Sequence, residues 1–157
     1  MTLSENELRQ RLGAIEPTTA TYAGIGPGEV DALRTLLGDK EARLAARAVH
    51  ALGLIDSEPA HETLLATPRD PRPEVRPSLA HVAERLPVDL SDQVLAELLN
   101  DPDIGVRKFA IRSVGPRNAE ALRAKLEQLS HADESQGLRR LVYERLRSSG
   151  GGQVNST

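Results

Sequence analysis

Asp39, Asp70 and Asp101 stand 31 residues apart, and His50 and His81 repeat the same interval. Carboxylates and imidazoles exchange protons and hold metal ions, so their regular spacing is the first place to look for chemistry. Each Asp closes a related phrase: Leu36-Leu37-Gly38-Asp39, Leu64-Leu65-Ala66-Thr67-Pro68-Arg69-Asp70 and Leu98-Leu99-Asn100-Asp101. An apolar residue and Arg follow in the second and third copies, Val75-Arg76 and Val106-Arg107. A fourth copy comes 32 residues on, with Asp133 and Leu138-Arg139, while the first keeps Leu44 but has Ala45 at the Arg position. A fixed period of this size marks stacked supersecondary units. The acids recur because a structural unit recurs, which turns the search for function from a pocket to a surface.

The elements that carry these residues are predicted to be helices. Ser4-Glu5-Asn6-Glu7 is a capping box that opens a helix ending near Leu12-Gly13. This capping helix, residues 4–13, covers the first repeat, and a Thr-, Pro- and Gly-rich connection spans 16–28. Shorter outer helices are expected at about 29–37, 59–66, 90–99 and 117–130. Longer ones are expected at about 40–55, 74–86, 103–114 and 134–147. The repeats then run about 29–57, 58–88, 89–116 and 117–147. In Asp101-Pro102 the carboxylate is placed to cap the next helix, with Pro at its first position. Pro77 requires the second long helix either to start near Glu74 or to kink. Val75, Leu79, Val82 and Leu86 recur at helical spacing, as do Leu44, Ala48, Ala51 and Ile55, and these are core positions. Residues 148–157 are polar and Gly-rich, the composition of a disordered tail.

Composition sets the outer limits. The 157 residues carry Lys+Arg 20 against Asp+Glu 23, a net charge of −3 that the chain distributes unevenly. Residues 1–104 are acidic and 105–157 basic, an arrangement that can orient a partner. There is no cysteine, so thiolate catalysis, disulfides and cysteine metal sites are excluded. No basic region followed by an apolar run opens the chain, and no stretch reaches membrane-span length, which predicts a cytoplasmic protein without membrane contact. Tyr22, Phe109 and Tyr143 are the only aromatics. With a pI of about 5.8 they argue against phosphate binding and base stacking.

The repeated phrase resembles HEAT repeats in their short bacterial, phycobilisome-lyase-like form. The resemblance rests on Leu98-Leu99-Asn100-Asp101-Pro102, Val106-Arg107, Ala110 and Val114-Gly115, and on Ala45-Ala46-Arg47-Ala48 with Leu52-Gly53. It covers about residues 29–147. It implies an all-α, right-handed α-solenoid of about four helix pairs, armadillo-like in outline, with the longer helices lining a concave side. It also implies an Asp–Arg ladder between units, in which Asp70, Asp101 and Asp133 meet Arg76, Arg107 and Arg139. Those residues are then structural. The resemblance implies a scaffold or adaptor more than a chemistry, because such folds host many functions.

On the concave side the period sets residues into columns. His50, His81, Arg112 and Glu144 share one, Arg47, Ser78, Phe109 and Leu141 a second, and Ala46, Pro77, Lys108 and Arg140 a third. Apolar Phe109 and Leu141 rimmed by Lys108, Arg112 and Arg140 have the composition of a binding hot spot. The expected partner-binding set is Arg47, His50, His81, Lys108, Phe109, Arg112 and Arg140, facing a protein with an acidic patch. No catalytic residue, cofactor or metal is expected. His50 and His81 are expected on helices about 10 Å apart, without a carboxylate between them. His61-Glu62 is similar to the His-Glu motifs of deoxyhypusine hydroxylase, a HEAT-repeat iron enzyme, but that enzyme repeats the motif and this chain has it once. Gly24-Ile25-Gly26-Pro27-Gly28 lacks the Gly-Lys-Ser/Thr ending of a phosphate loop. The expected function is therefore a non-catalytic protein-binding scaffold. The alternatives are an accessory subunit of a lyase-like or modifying enzyme, and a HEAT-like nucleic-acid binder of the DNA-glycosylase kind.

Overall fold

Ser4 opens the first helix, α1 (Glu5–Leu12), through the capping box its sequence predicts. The Ser4 hydroxyl accepts from the Glu7 amide, and the Glu7 carboxylate accepts from the Ser4 amide at 2.8 Å. Two free donors of the helix start are satisfied in one exchange. The computed structural model describes the backbone of residues 1–150 and the side chains of residues 1–148. Among the described residues the chain is all-helical, with no strand. The outer helices are α3 (Val30–Leu37), α5 (Glu58–Ala66), α7 (Val88–Leu98) and α9 (Glu120–Ala132). Their partners are α4 (Ala42–Gly53), α6 (Arg76–Val82), α8 (Ile104–Ser113) and α10 (Gln136–Gly150).

The connection after α1 holds a short helix, α2 (Thr19–Tyr22), and a 3-10 turn at Pro27–Glu29, neither of which the composition predicts. Glu29 locks this segment. Its buried carboxylate accepts from the Leu3 amide at 2.8 Å and from the Gly26 amide at 2.7 Å. Pro77 falls at the second position of α6, where it withholds no helical donor, so the helix starts late and does not kink. The helix also gives way at Ala83–Arg85 to a 3-10 turn, short of the expected 86. Of the predicted tail, residues up to 150 continue α10, where the Ser148 hydroxyl donates to the Glu144 carbonyl. The remainder, 151–157, lies outside the described residues.

Leucine and alanine at helical spacing build one continuous core from Leu8 to Val142. α4, α6, α8 and α10 pack in succession, each against the next, and α3, α5, α7 and α9 do so beside them. Small residues let the helices of the first row approach. A methyl group at Gly53 would sit 2.5 Å from the Val82 Cβ, so only glycine fits where α4 meets α6.

The Asp–Arg pairs hold these helices in register, but not in the expected order. Arg76 pairs with Asp101, not Asp70, through Nε at 2.6 Å and Nη2 at 2.8 Å. Arg107 pairs with Asp133, not Asp101, at 2.9 Å and 3.3 Å. Six residues is the distance from each turn to the helix above it, so Arg reaches its own turn only at the carbonyl. The Arg76 Nη1 donates to the Asp70 carbonyl at 2.8 Å, and the Arg107 Nη1 to the Asp101 carbonyl at 2.9 Å. The rest of the planar fork crosses to the carboxylate of the following turn, where two parallel bonds fit.

The first rungs adapt to Ala45. With no Arg there, Asp70 is bound by Arg72 at 2.7 Å, and the same guanidinium donates backwards to the Leu37 and Asp39 carbonyls. Asp39 in turn pairs with Arg9 of the capping helix at 2.7 Å. Hydrogen bonds from Arg72 hold the Asp70 carboxyl below the ordinary carboxylate range. Capping of α8 also falls on a different residue from the one expected. Asp103 accepts from the Val106 amide at 3.0 Å, while Asp101 accepts from the Asp103 amide at 2.8 Å. Pro102 therefore precedes the helix, because Asp101 is committed to the turn and to Arg76.

Candidate functional site

The exposed side of the row α4, α6, α8 and α10 carries the residues named as partner-binding, and the structure divides them into three settings. The first is Arg47 on α4. Its guanidinium donates to the Leu12, Ala14 and Ile15 carbonyls at the end of α1. A cation on the free carbonyls of a helix C-terminus is a favourable pairing. Arg47 fastens α1 through both of its Nη groups.

The second setting is a small hollow of about 230 Å³ lined by His50, Pro77, Ser78, His81 and Phe109. The His50 and His81 rings stack with centroids 5.7 Å apart, much closer than the helix spacing suggests. The Tyr22 ring also meets His50, with centroids 4.6 Å apart and the planes tilted by 53°. The side chains lean together because α4 and α6 approach closely at Gly53. The two ring planes are inclined to each other by 23°. Among the described residues no three of His, Cys, Asp and Glu gather as a metal ion requires. Burial lowers the His50 pKa, and the charges of His81 and Arg85 lower it further. Burial also raises the Tyr22 pKa, with Arg47 opposing. This hollow is an aromatic and imidazole surface in which burial disfavours the charged form of His50.

The third setting is a groove of about 510 Å³ between α8 and α10. Lys108, Arg112 and Arg140 all line it, together with Ile104, Leu141 and Glu144. On α8 the stripe Ile104, Lys108 and Arg112 follows the four-residue spacing of one helix face. On α10 the facing stripe is Gly137, Leu141 and Glu144, with Arg140 beside it. Gly105 and Gly137, each at the second position of its helix, keep the mouth open. Arg140 is 82% exposed and pairs with Glu144 at 3.0 Å. Three cations thus stand against one carboxylate, beside apolar Ile104 and Leu141.

Phe109 is 43% exposed but turns into the second hollow, so the apolar element among the cations is Leu141 with Ile104. The column reading contains Leu141 and Glu144 but omits Ile104. The signal was present, since Ile104 is four residues before Lys108 on a helix start. His61, with its single Glu62 neighbour, sits on α5 and meets Asp56 at 3.5 Å, apart from both hollows. No helix of the described residues is long and apolar enough to cross a membrane. No protein-family model matches the chain, and no curated protein matches it.

Proposed function

We propose that this chain is a HEAT-like α-solenoid that acts as a non-catalytic adaptor and binds an acidic segment of a partner protein in the α8–α10 groove. The observation that carries the reading is the gathering of Lys108, Arg112 and Arg140 around Leu141 and Ile104 in one groove. Cations at the rim steer and orient an acidic partner, and the apolar floor supplies the contact that holds it. The succession of helix pairs and the Arg76–Asp101 and Arg107–Asp133 rungs support the solenoid reading. Arg47, earlier grouped with the contact residues, serves the scaffold in this reading. His50, His81 and Phe109 form a second, aromatic and imidazole contact on the same side.

Affinity capture from the native host with the wild-type chain and the Lys108→Glu/Arg112→Glu variant tests the proposal. The variant keeps its helicity and melting temperature, because both side chains are exposed. It loses a protein that the wild type retains in a salt-sensitive manner. Equal recovery by both chains overturns the proposal.

A further inference from the structure

Ile104, Lys108 and Arg112 follow one another at four-residue intervals on α8 and line one wall of the α8–α10 groove. Each interval is about 6 Å along the helix. Ile104 is 52% exposed, and Lys108 and Arg112 are exposed as well. On the facing wall the Glu144 carboxylate is taken up by Arg140 at 3.0 Å. Among the described residues neither Lys108 nor Arg112 pairs with a carboxylate, so the groove's own acid leaves both cations unneutralised. One unit earlier on the same side, the hollow that joins His50 of α4, His81 of α6 and Phe109 of α8 stays open with helix pairs in place on both flanks. A neighbouring unit therefore does not fill this side. The groove presents one apolar and two cationic positions, evenly spaced along a line.

We propose that the occupant of this groove is an extended segment of the partner protein, with an apolar residue against Ile104 and acidic residues two and four positions from it against Lys108 and Arg112. The inference rests on the adaptor reading of the groove and adds the conformation and residue pattern of the segment. An extended chain advances about 6.6 Å in two residues, and its alternate side chains point the same way. Every second residue then meets one position on α8, and the flexible Lys and Arg side chains absorb the small difference in spacing. A helix with its residues four apart would match the same line, but the width of the groove opposes it. Packed helices lie about 8–10 Å apart, whereas a helix with its side chains is about 10–12 Å across. A helix rests on the rims, while a single extended strand descends between them. Gly105 and Gly137 leave room for its backbone at the Ile104 end. Residues 149–157 contain no acidic side chain and do not supply such a segment.

The test titrates the full chain calorimetrically with three kinds of end-blocked peptide. The first carries leucine, glutamate and glutamate at alternate positions among serines, made in both chain directions. The second has the same composition with the leucine and both glutamates adjacent. The third is a cross-linked helix with the leucine and glutamates four residues apart. The alternating peptide, in its better direction, is expected to bind about tenfold more tightly than either of the others. Changing its nearer glutamate to glutamine should weaken binding to the wild type but not to Lys108→Gln, and changing the farther one should do so for the wild type but not for Arg112→Gln. Tighter binding of the helical peptide, or equal binding of the adjacent one, overturns the extended pattern and leaves the adaptor reading standing. Binding of none of the three also overturns the inference, and the adaptor reading is then decided separately by the affinity capture. Alternating-peptide binding that is indifferent to both Lys108→Gln and Arg112→Gln overturns it as well.

Discussion

Arg76 and Asp101 form a buried bidentate pair between consecutive helix pairs, with Nε and Nη2 at 2.6 Å and 2.8 Å from the two carboxylate oxygens. Their side chains are 8% and 4% exposed. Asp101 also holds the Asp103 amide, and Arg76 also holds the Asp70 carbonyl. One ion pair therefore ties α6 and the turn before it to the turn that opens α8. Asp101→Ala leaves a buried guanidinium without its partner and is expected to cost about 3–5 kcal/mol. Replacing both members, as Arg76→Met with Asp101→Leu, is expected to cost less than the sum of the single changes. Urea unfolding of the four chains of this cycle measures the coupling.

Arg72 substitutes for the Arg that Ala45 lacks. Arg72→Ala frees Asp70 and strips donors from the Leu37 and Asp39 carbonyls, a loss of about 2–3 kcal/mol. Ala45→Arg places a guanidinium at the position of Arg76 and Arg107. In the Arg72→Ala background it is expected to return part of the lost stability. A double variant less stable than Arg72→Ala alone would show that Ala45 has no room for the regular rung.

Gly53 is a steric requirement. Gly53→Ala drives a methyl group into Val82 and is expected to destabilise by about 1–3 kcal/mol. Val82→Ala made in the same chain removes the two methyl groups at 2.8 Å but keeps the Cβ at 2.5 Å, so it relieves the clash in part. The double variant should then lie above the sum of the two single losses in thermal melts.

His50 gives the fold a pH dependence in mildly acid solution. Burial, with the charges of His81 and Arg85, holds its folded pKa below the ordinary 6.5. Below pH 6.5 the unfolded chain takes up a proton that the folded chain resists, so stability falls as pH drops toward the depressed folded value and levels off beneath it. His50→Phe keeps a ring against Tyr22 and His81 but cannot titrate. Its stability between pH 7 and pH 5 should be flatter than that of the wild type, by urea midpoints at the two values.

Asp70 works in the opposite direction at lower pH. Its carboxyl is held below 3.8, chiefly by the Arg72 hydrogen bonds, so its contribution is present above the unfolded pKa and lost as pH falls through the folded one. Asp70→Asn should lower stability at neutral pH and narrow the difference from wild type in strong acid. A gap of constant size across that range would mean that the carboxylate charge is not what Arg72 uses.

Local chemistry was legible in the chain wherever a few neighbouring residues decide the outcome. The Ser4–Glu7 capping box and the helical spacing of Leu44, Ala48 and Ala51 follow from contacts within one or two turns, and the 31-residue register is read directly from the recurrence of the Asp phrase. The columns also identified Lys108, Arg112 and Arg140, which share the α8–α10 groove. Which Arg meets which Asp was not legible, because Arg76 can reach either its own turn or the next, and only the offset between helix pairs selects Asp101. Nor was the 5.7 Å stacking of His50 on His81, which depends on how deeply Gly53 lets Val82 approach. Phe109 and Leu141 occupy equivalent register positions, yet they enter different hollows. Periodicity determines which side chains share a side of a helix, while the separation and offset of packed helices decide which of them meet.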